Sequence, residues 1–160
     1  MSDFVFPKKL LRKGYPSDEV HTDAAYDVFK ADFLDSRPIF RNTEMGLKKL
    51  PIRNEREATF YHMTTEGNDE ENRVYDCDRT ERLPWAKPLI EHEESEEVRV
   101  WSEKKKGKTR IHLWLHKRDY LLVIQQMRKD GGFYYLPWTA FAINYPHYRQ
   151  KLESRWKRNT

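Results

Sequence analysis

One cysteine, six glycines and no long apolar run mark what this 160-residue sequence has little of. Cys77, being alone, excludes an internal disulfide and any multi-thiolate metal site, and reads as small buried filler. No apolar stretch is long enough to cross a bilayer, and Met1-Ser2-Asp3-Phe4 lacks the charged and apolar regions of a secretory signal. The expected setting is a cytosol, with no membrane contact. There is no internal repeat, glycine-rich phosphate loop, Gly-x-Ser-x-Gly elbow or His-Glu-x-x-His helix. His112 and His116 stand four apart on a strand pattern with no obvious third ligand, so neither a metal nor a cofactor is expected.

Charge is present in quantity but divided unevenly. Residues 1–95 hold 15 Lys+Arg against 20 Asp+Glu, a balance of −5, whereas residues 96–160 hold 15 against 6, a balance of +9. The basic part also carries eleven of the twenty-two aromatic residues. Cations for phosphates beside ring faces for bases are what a nucleic acid requires, RNA above all. A generic basic protein, with Lys104-Lys105-Lys106 merely a solvated turn, would show the same balance.

The basic part reads as four consecutive strands. Val98 and Val100 alternate with Arg99 and Trp101; Lys104 to Gly107 reads as a turn; Ile111, Leu113 and Leu115 alternate with Arg110, His112, Trp114 and His116. A Lys117-Arg118-Asp119 corner precedes the run from Tyr120 to Met127, and Asp130-Gly131 signals a tight hairpin before a strand from Phe133 to Ile143. The period of two puts Ile111, Leu113 and Leu115 on a core. It leaves Arg99, Trp101, Arg110, His112, Trp114 and His116 on an open, cationic and aromatic face, which is also how an ordinary solvated sheet face would look.

Before the meander, residues 1–16 suit a surface arm with little regular structure. Ser17 caps a helix over Asp18 to Leu34, with Val20, Ala24, Val28 and Ala31, and Ala25, Phe29 and Phe33 beside them, as its apolar stripe and His21 exposed near its start. Residues 35–57 read as a long connection. Ala58 to Thr64 reads as a short strand that delivers His62 to an acidic loop, Glu66 to Asn72; Pro84 to Glu94 reads as a short or kinked helix carrying Trp85, Leu89 and Ile90. A final helix to about Arg158 carries Tyr148, Leu152 and Trp156 inward, with Arg149, Lys151, Arg155, Lys157 and Arg158 outward. The class is α+β: a four-stranded antiparallel meander with helices on one face, divided into an arm and helix over residues 1–57 and a main domain over 58–160, in a single compact unit.

The helix-then-meander order, with Arg82-Leu83-Pro84-Trp85 before a helix and Leu136-Pro137-Trp138-Thr139-Ala140-Phe141 in the last strand, resembles the phage-associated branch of the barnase, EndoU, colicin and RelE-like (BECR) nuclease fold over residues 58–143. That resemblance implies a metal-independent ribonuclease, often a toxin, with the active site on the sheet face opposite the helices. It also brings an immunity or antitoxin protein and tRNA into view as partners. The acidic loop at Glu66 to Asn72 and the first 57 residues depart from the family pattern.

Metal-free cleavage of RNA needs a base for the 2′-hydroxyl, an acid for the leaving oxygen and cations for the charge on phosphorus. His62 is the first candidate for proton transfer and His112 the second, with Arg82 and Arg110 on the phosphate and Thr139 donating its hydroxyl to it. Arg99, Trp101, Trp114, His116, Lys117 and Arg118 would bind the chain. Two other classes compete: Tyr61-His62-Met63-Thr64 resembles the Tyr-His-x-Thr strand of some ADP-ribosyltransferases, and the basic sheet alone would make a non-catalytic binding module.

Overall fold

Two tight turns hold the meander together. Lys106 and Gly107 take φ of 52° and 78°, so both turn residues are left-handed and the two-residue hairpin follows the strand twist, with Lys105 opposite Lys108. Asp130-Gly131 closes the next hairpin, with Lys129 opposite Gly132 and Gly131 at φ 80°. The four-stranded antiparallel sheet therefore runs in chain order. In the computed structural model, which describes residues 4–160, its strands are the fifth to eighth: β5 (Val98–Lys105), β6 (Lys108–Leu115), β7 (Tyr120–Lys129) and β8 (Gly132–Ala142).

Helices and short hairpins precede the sheet: α1 (Asp18–Phe29), β1 (Ile39–Phe40), β2 (Thr43–Glu44), α2 (Ala58–Thr64), β3 (Thr65–Glu66), β4 (Val74–Tyr75), α3 (Cys77–Arg82) and α4 (Ala86–Glu91). After it comes α5 (Pro146–Arg158). The protein is α+β.

Ser17 Oγ accepts from the Val20 N–H at 3.2 Å and so caps α1. Of the expected stripe, Ala25, Phe29 and Phe33 are the buried members. His21, Ala25 and Phe29 face inward and Phe33 continues the line through a wide turn over residues 30–35, while Val20 is exposed. His21 is therefore not the exposed residue its neighbours imply. It is fully buried, with Nδ1 2.7 Å from the Tyr75 hydroxyl and Nε2 2.7 Å from the Leu10 carbonyl, so both polar atoms are satisfied.

The arm is pinned as well. Phe6, Phe29, Phe33, Phe40 and Met45 share one core with Leu113, Leu122 and Ile124 of the sheet, so residues on both sides of position 57 build the same interior. The short helix expected over Pro84 to Glu94 is α4, entered from α3 through a tight turn over Leu83–Trp85, and Trp85, Leu89 and Ile90 are buried.

Two expectations fail, and both matter for the site. Ala58 to Thr64 is helical, not a strand. Its residues favour β structure, but Phe60 and Met63 sit at helical spacing against the core while the Thr64 hydroxyl bonds back to the Phe60 carbonyl at 2.9 Å; packing outweighs propensity. Helices also cover both faces of the sheet. The stripe Tyr148, Leu152 and Trp156 of α5 lies on Trp101, Trp114, Leu121 and Val123, making a second core on the face expected to be open.

Candidate active site

The six residues proposed to bind the RNA chain are therefore placed differently. Trp101 and Trp114 are 2% and 0% exposed, and Arg99 bonds Glu153 at 3.2 Å with its guanidinium 4.0 Å from the Trp156 ring. His116 lies beside Trp114 and faces the Glu96 carbonyl at 3.4 Å, Arg118 pairs with Glu97 at 3.1 Å near Phe6 and Trp85, and Lys117, in an exposed turn, has no ion pair among the described residues. They form no common surface. Two cations of α5 expected to point outward are also engaged, Arg149 with Asp119 and Arg155 with Glu103.

His112, the second proton-transfer candidate, is 5% exposed under α5. Its ring stacks on Trp101 with centroids 4.9 Å apart and planes within 4°, and its Nε2 lies 3.1 Å from Nη2 of Arg155, which together with Nε also grips Glu103. Burial first, then the Arg155 charge, lower its pKa to about 4. It is a neutral, packed side chain with no access to substrate. Arg82 is similarly spent: it bonds the Asp78 carbonyl at 3.1 Å and lies over Trp85.

A different group gathers where α2 meets β8. A bulge in β8, with Val123 opposite Thr139 but Ile124 opposite Pro137, leaves Trp138 as the extra residue and turns its half-buried indole out of the ladder. Three nitrogen-bearing side chains converge on that ring. Arg110 places its guanidinium carbon 5.3 Å from the centroid, Lys48 its ammonium at 5.8 Å, and the His62 ring meets it edge-on at 6.4 Å. Arg110 is held by Gln125, whose Oε1 accepts from Nε at 3.1 Å.

Backbone contacts fix each of these positions. The Gly46 N–H bonds the Tyr135 carbonyl at 2.8 Å, and a Cβ at Gly46 would come 2.9 Å from the Leu136 side-chain terminus, which would have to shift to admit it. Two residues on, Lys48 exchanges bonds with Thr59 of α2. The His62 carbonyl, left open at the end of α2, accepts from Arg79 and from the Thr139 hydroxyl, each at 3.2 Å. Thr139 thus positions His62 and has no hydroxyl proton left for a phosphate.

The acidic loop completes the site. β3 and β4 pair across it; Asp69 accepts from the Glu71 N–H at 3.0 Å, and Arg73 closes it with bonds to Thr65 and the Gly67 carbonyl. Glu70 is thereby returned to His62, whose Nε2 it binds in a short contact. Burial, Arg73 and Lys48 hold the His62 pKa below its ordinary value despite the opposing carboxylate. Burial works against the Glu70 charge, but His62, Lys48 and Arg73 outweigh it and keep that carboxyl below its usual range. Neutral imidazole beside carboxylate follows. With Nε2–H donated to Glu70, Nδ1 carries the free lone pair; it has no partner among the described residues and is not fully shielded, although the residue is only 9% exposed.

Glu70, Trp138, Lys48, Arg73 and Arg79 are the residues that sequence reasoning left out. Glu70 was visible as an acid eight positions after His62, but only the β3–β4 pairing brings it back. Among the described residues no cluster of three or more His, Cys, Asp or Glu is arranged to hold a metal ion, and no helix is long and apolar enough to cross a membrane. No family model, curated protein or solved structure matches the chain.

Proposed function

We propose that this protein is a ribonuclease that cleaves RNA by attack of the ribose 2′-hydroxyl, with His62 as the general base. The observation that carries the reading is the His62–Glu70 pair: a carboxylate fixes the tautomer, and Nδ1 is left without a hydrogen bond among the described residues, in a ring that meets an indole flanked by two cations. Nδ1 takes the 2′ proton, O2′ attacks phosphorus, and the P–O5′ bond breaks to leave a 2′,3′-cyclic phosphate. Arg110 and Lys48 offset the charge that builds on the phosphoryl oxygens, and Lys48 returns a proton to O5′. Trp138 stacks a base next to the scissile bond.

The BECR-type architecture belongs to the same reading. It is supported by the four-stranded antiparallel meander and by the cluster around Trp138 where α2 meets β8, although α5 covers part of the second face as well. In that setting the substrate is a structured cytosolic RNA such as tRNA, and an acidic immunity or antitoxin protein would cover Trp138 and its cations. The ADP-ribosyltransferase alternative loses its footing, since it calls for a strand where Tyr61-His62-Met63-Thr64 is helical.

Incubation with RNA in excess chelator is the decisive assay. Fragments ending in 2′,3′-cyclic phosphate are expected. Intact RNA that is nevertheless bound would replace the nuclease with a binding module using the same surface.

A further inference from the structure

At the open end of the sheet, away from Trp138, a groove of about 420 Å³ runs between the two hairpin tips. Lys104, Lys106, Lys108 and Arg128 line it together with Thr109, Gln126, Met127 and Phe133, and no acidic side chain does. Among the described residues none of those four cations takes part in an ion pair. Four arginines of the same basic half, Arg99, Arg118, Arg149 and Arg155, each hold a carboxylate instead. Glu103, the acid nearest in sequence, is turned to Arg155 on the other face.

We infer that this groove is a binding site for single-stranded nucleic acid, separate from the His62 centre. Four uncompensated positive charges converge on one concavity and repel one another until a polyanion fills it. The groove also holds a flat apolar surface, because Phe133 is 49% exposed in its lining and Met127 lies next to it. A lipid headgroup or a sulfated sugar would use the cations but has no stacking ring to lay on Phe133, whereas every base has one. The left-handed Lys106-Gly107 turn fixes the backbone of the tip and so brings Lys104, Lys106 and Lys108 to one end of the sheet.

The test measures binding of a fluorescent oligothymidine, which has no 2′-hydroxyl and is bound or not whatever becomes of RNA cleavage. The combined Lys104→Gln, Lys108→Gln, Arg128→Gln variant is expected to weaken binding by about tenfold or more and to lower the slope of log affinity against log salt by about 2, three contacts at roughly 0.7 each. A charge-matched control on α5, Lys151→Gln, Lys157→Gln and Arg158→Gln, is expected to stay within about twofold, and Phe133→Ala to lose about tenfold with the slope unchanged. On the unaltered protein, photo-crosslinking of an iodouracil oligonucleotide is expected to mark Phe133. Equal losses in the two triple variants, full affinity in Phe133→Ala, or uptake by phosphatidylserine vesicles without oligothymidine binding would each overturn the inference.

Discussion

Nε2 of His112 lies 3.1 Å from a guanidinium nitrogen of Arg155, and because guanidinium only donates, the imidazole must accept there and keep its proton on Nδ1. That Nδ1 is shielded and has no partner, so a second proton would place an imidazolium against a permanent cation in a buried layer. Glu103 opposes this from one side, while Arg110 adds to the positive field.

Stability should therefore fall on mild acidification. The folded-state pKa of His112 is depressed from the ordinary 6.5 to about 4, so the unfolded chain binds the extra proton first. The contribution is complete above about pH 6.5, erodes as pH falls and is gone near pH 4, amounting to a few kcal/mol at most. Urea melts of the wild type and of His112→Gln across that window check it. The variant should lose most of the slope, and an unchanged slope would mean another group titrates.

Catalysis should depend on His62 and rest on its neutral form. His62→Ala is expected to lower single-turnover cleavage by about 10² to 10⁴ with oligonucleotide binding nearly kept. Because burial depresses its pKa, the acid limb of the pH–rate profile should lie below 6.5, with activity rising as pH increases. Glu70→Gln removes the group that holds that pKa up, so the limb should move to still lower pH while the plateau drops. A limb that moves upward, or does not move, would separate Glu70 from the base.

The Trp138 patch should couple binding to turnover. Arg110→Ala is expected to impair both, since a cation on phosphate acts in the ground state and the transition state alike. Thr139→Val should slow cleavage without weakening binding, because that hydroxyl holds the His62 carbonyl instead of the substrate. Binding isotherms beside single-turnover rates distinguish the two patterns.

The two cores should be equally costly to empty. Leu113→Ala and Trp114→Ala face opposite sides of β6 and both side chains are 0% exposed, so losses of roughly 2 to 5 and 3 to 5 kcal/mol are expected by denaturant melts. His116→Ala, partly exposed at the strand end, should stay within about 0.5 kcal/mol. A mild Trp114→Ala would mean that α5 does not stay docked in solution.

Local pattern carried the sheet. The alternation around Ile111, Leu113 and Leu115, the Lys106-Gly107 and Asp130-Gly131 turns, and the Ser17 cap are encoded within a few residues, and each appears where the sequence places it. His62, Arg110 and Thr139 were legible as residues of the site, although the role read for Thr139 was not.

What covers a face is a different kind of fact. Trp101, Trp114 and His112 alternate like an outer face, and only the docking of α5, some forty residues later in the chain, makes them a core. Ala58 to Thr64 has β-favouring side chains, yet burial against the first core outweighs a propensity worth about 1 kcal/mol or less per residue. Glu70 meets His62 only through the β3–β4 pairing, and Lys48 meets Trp138 where the Gly46 N–H ties its segment to the Tyr135 carbonyl of β8. Periodicity within a segment fixed which side chains share a face. Contacts between segments distant in sequence decided which faces were buried and which residues formed the site, because their free energies depend on packing that no single stretch contains.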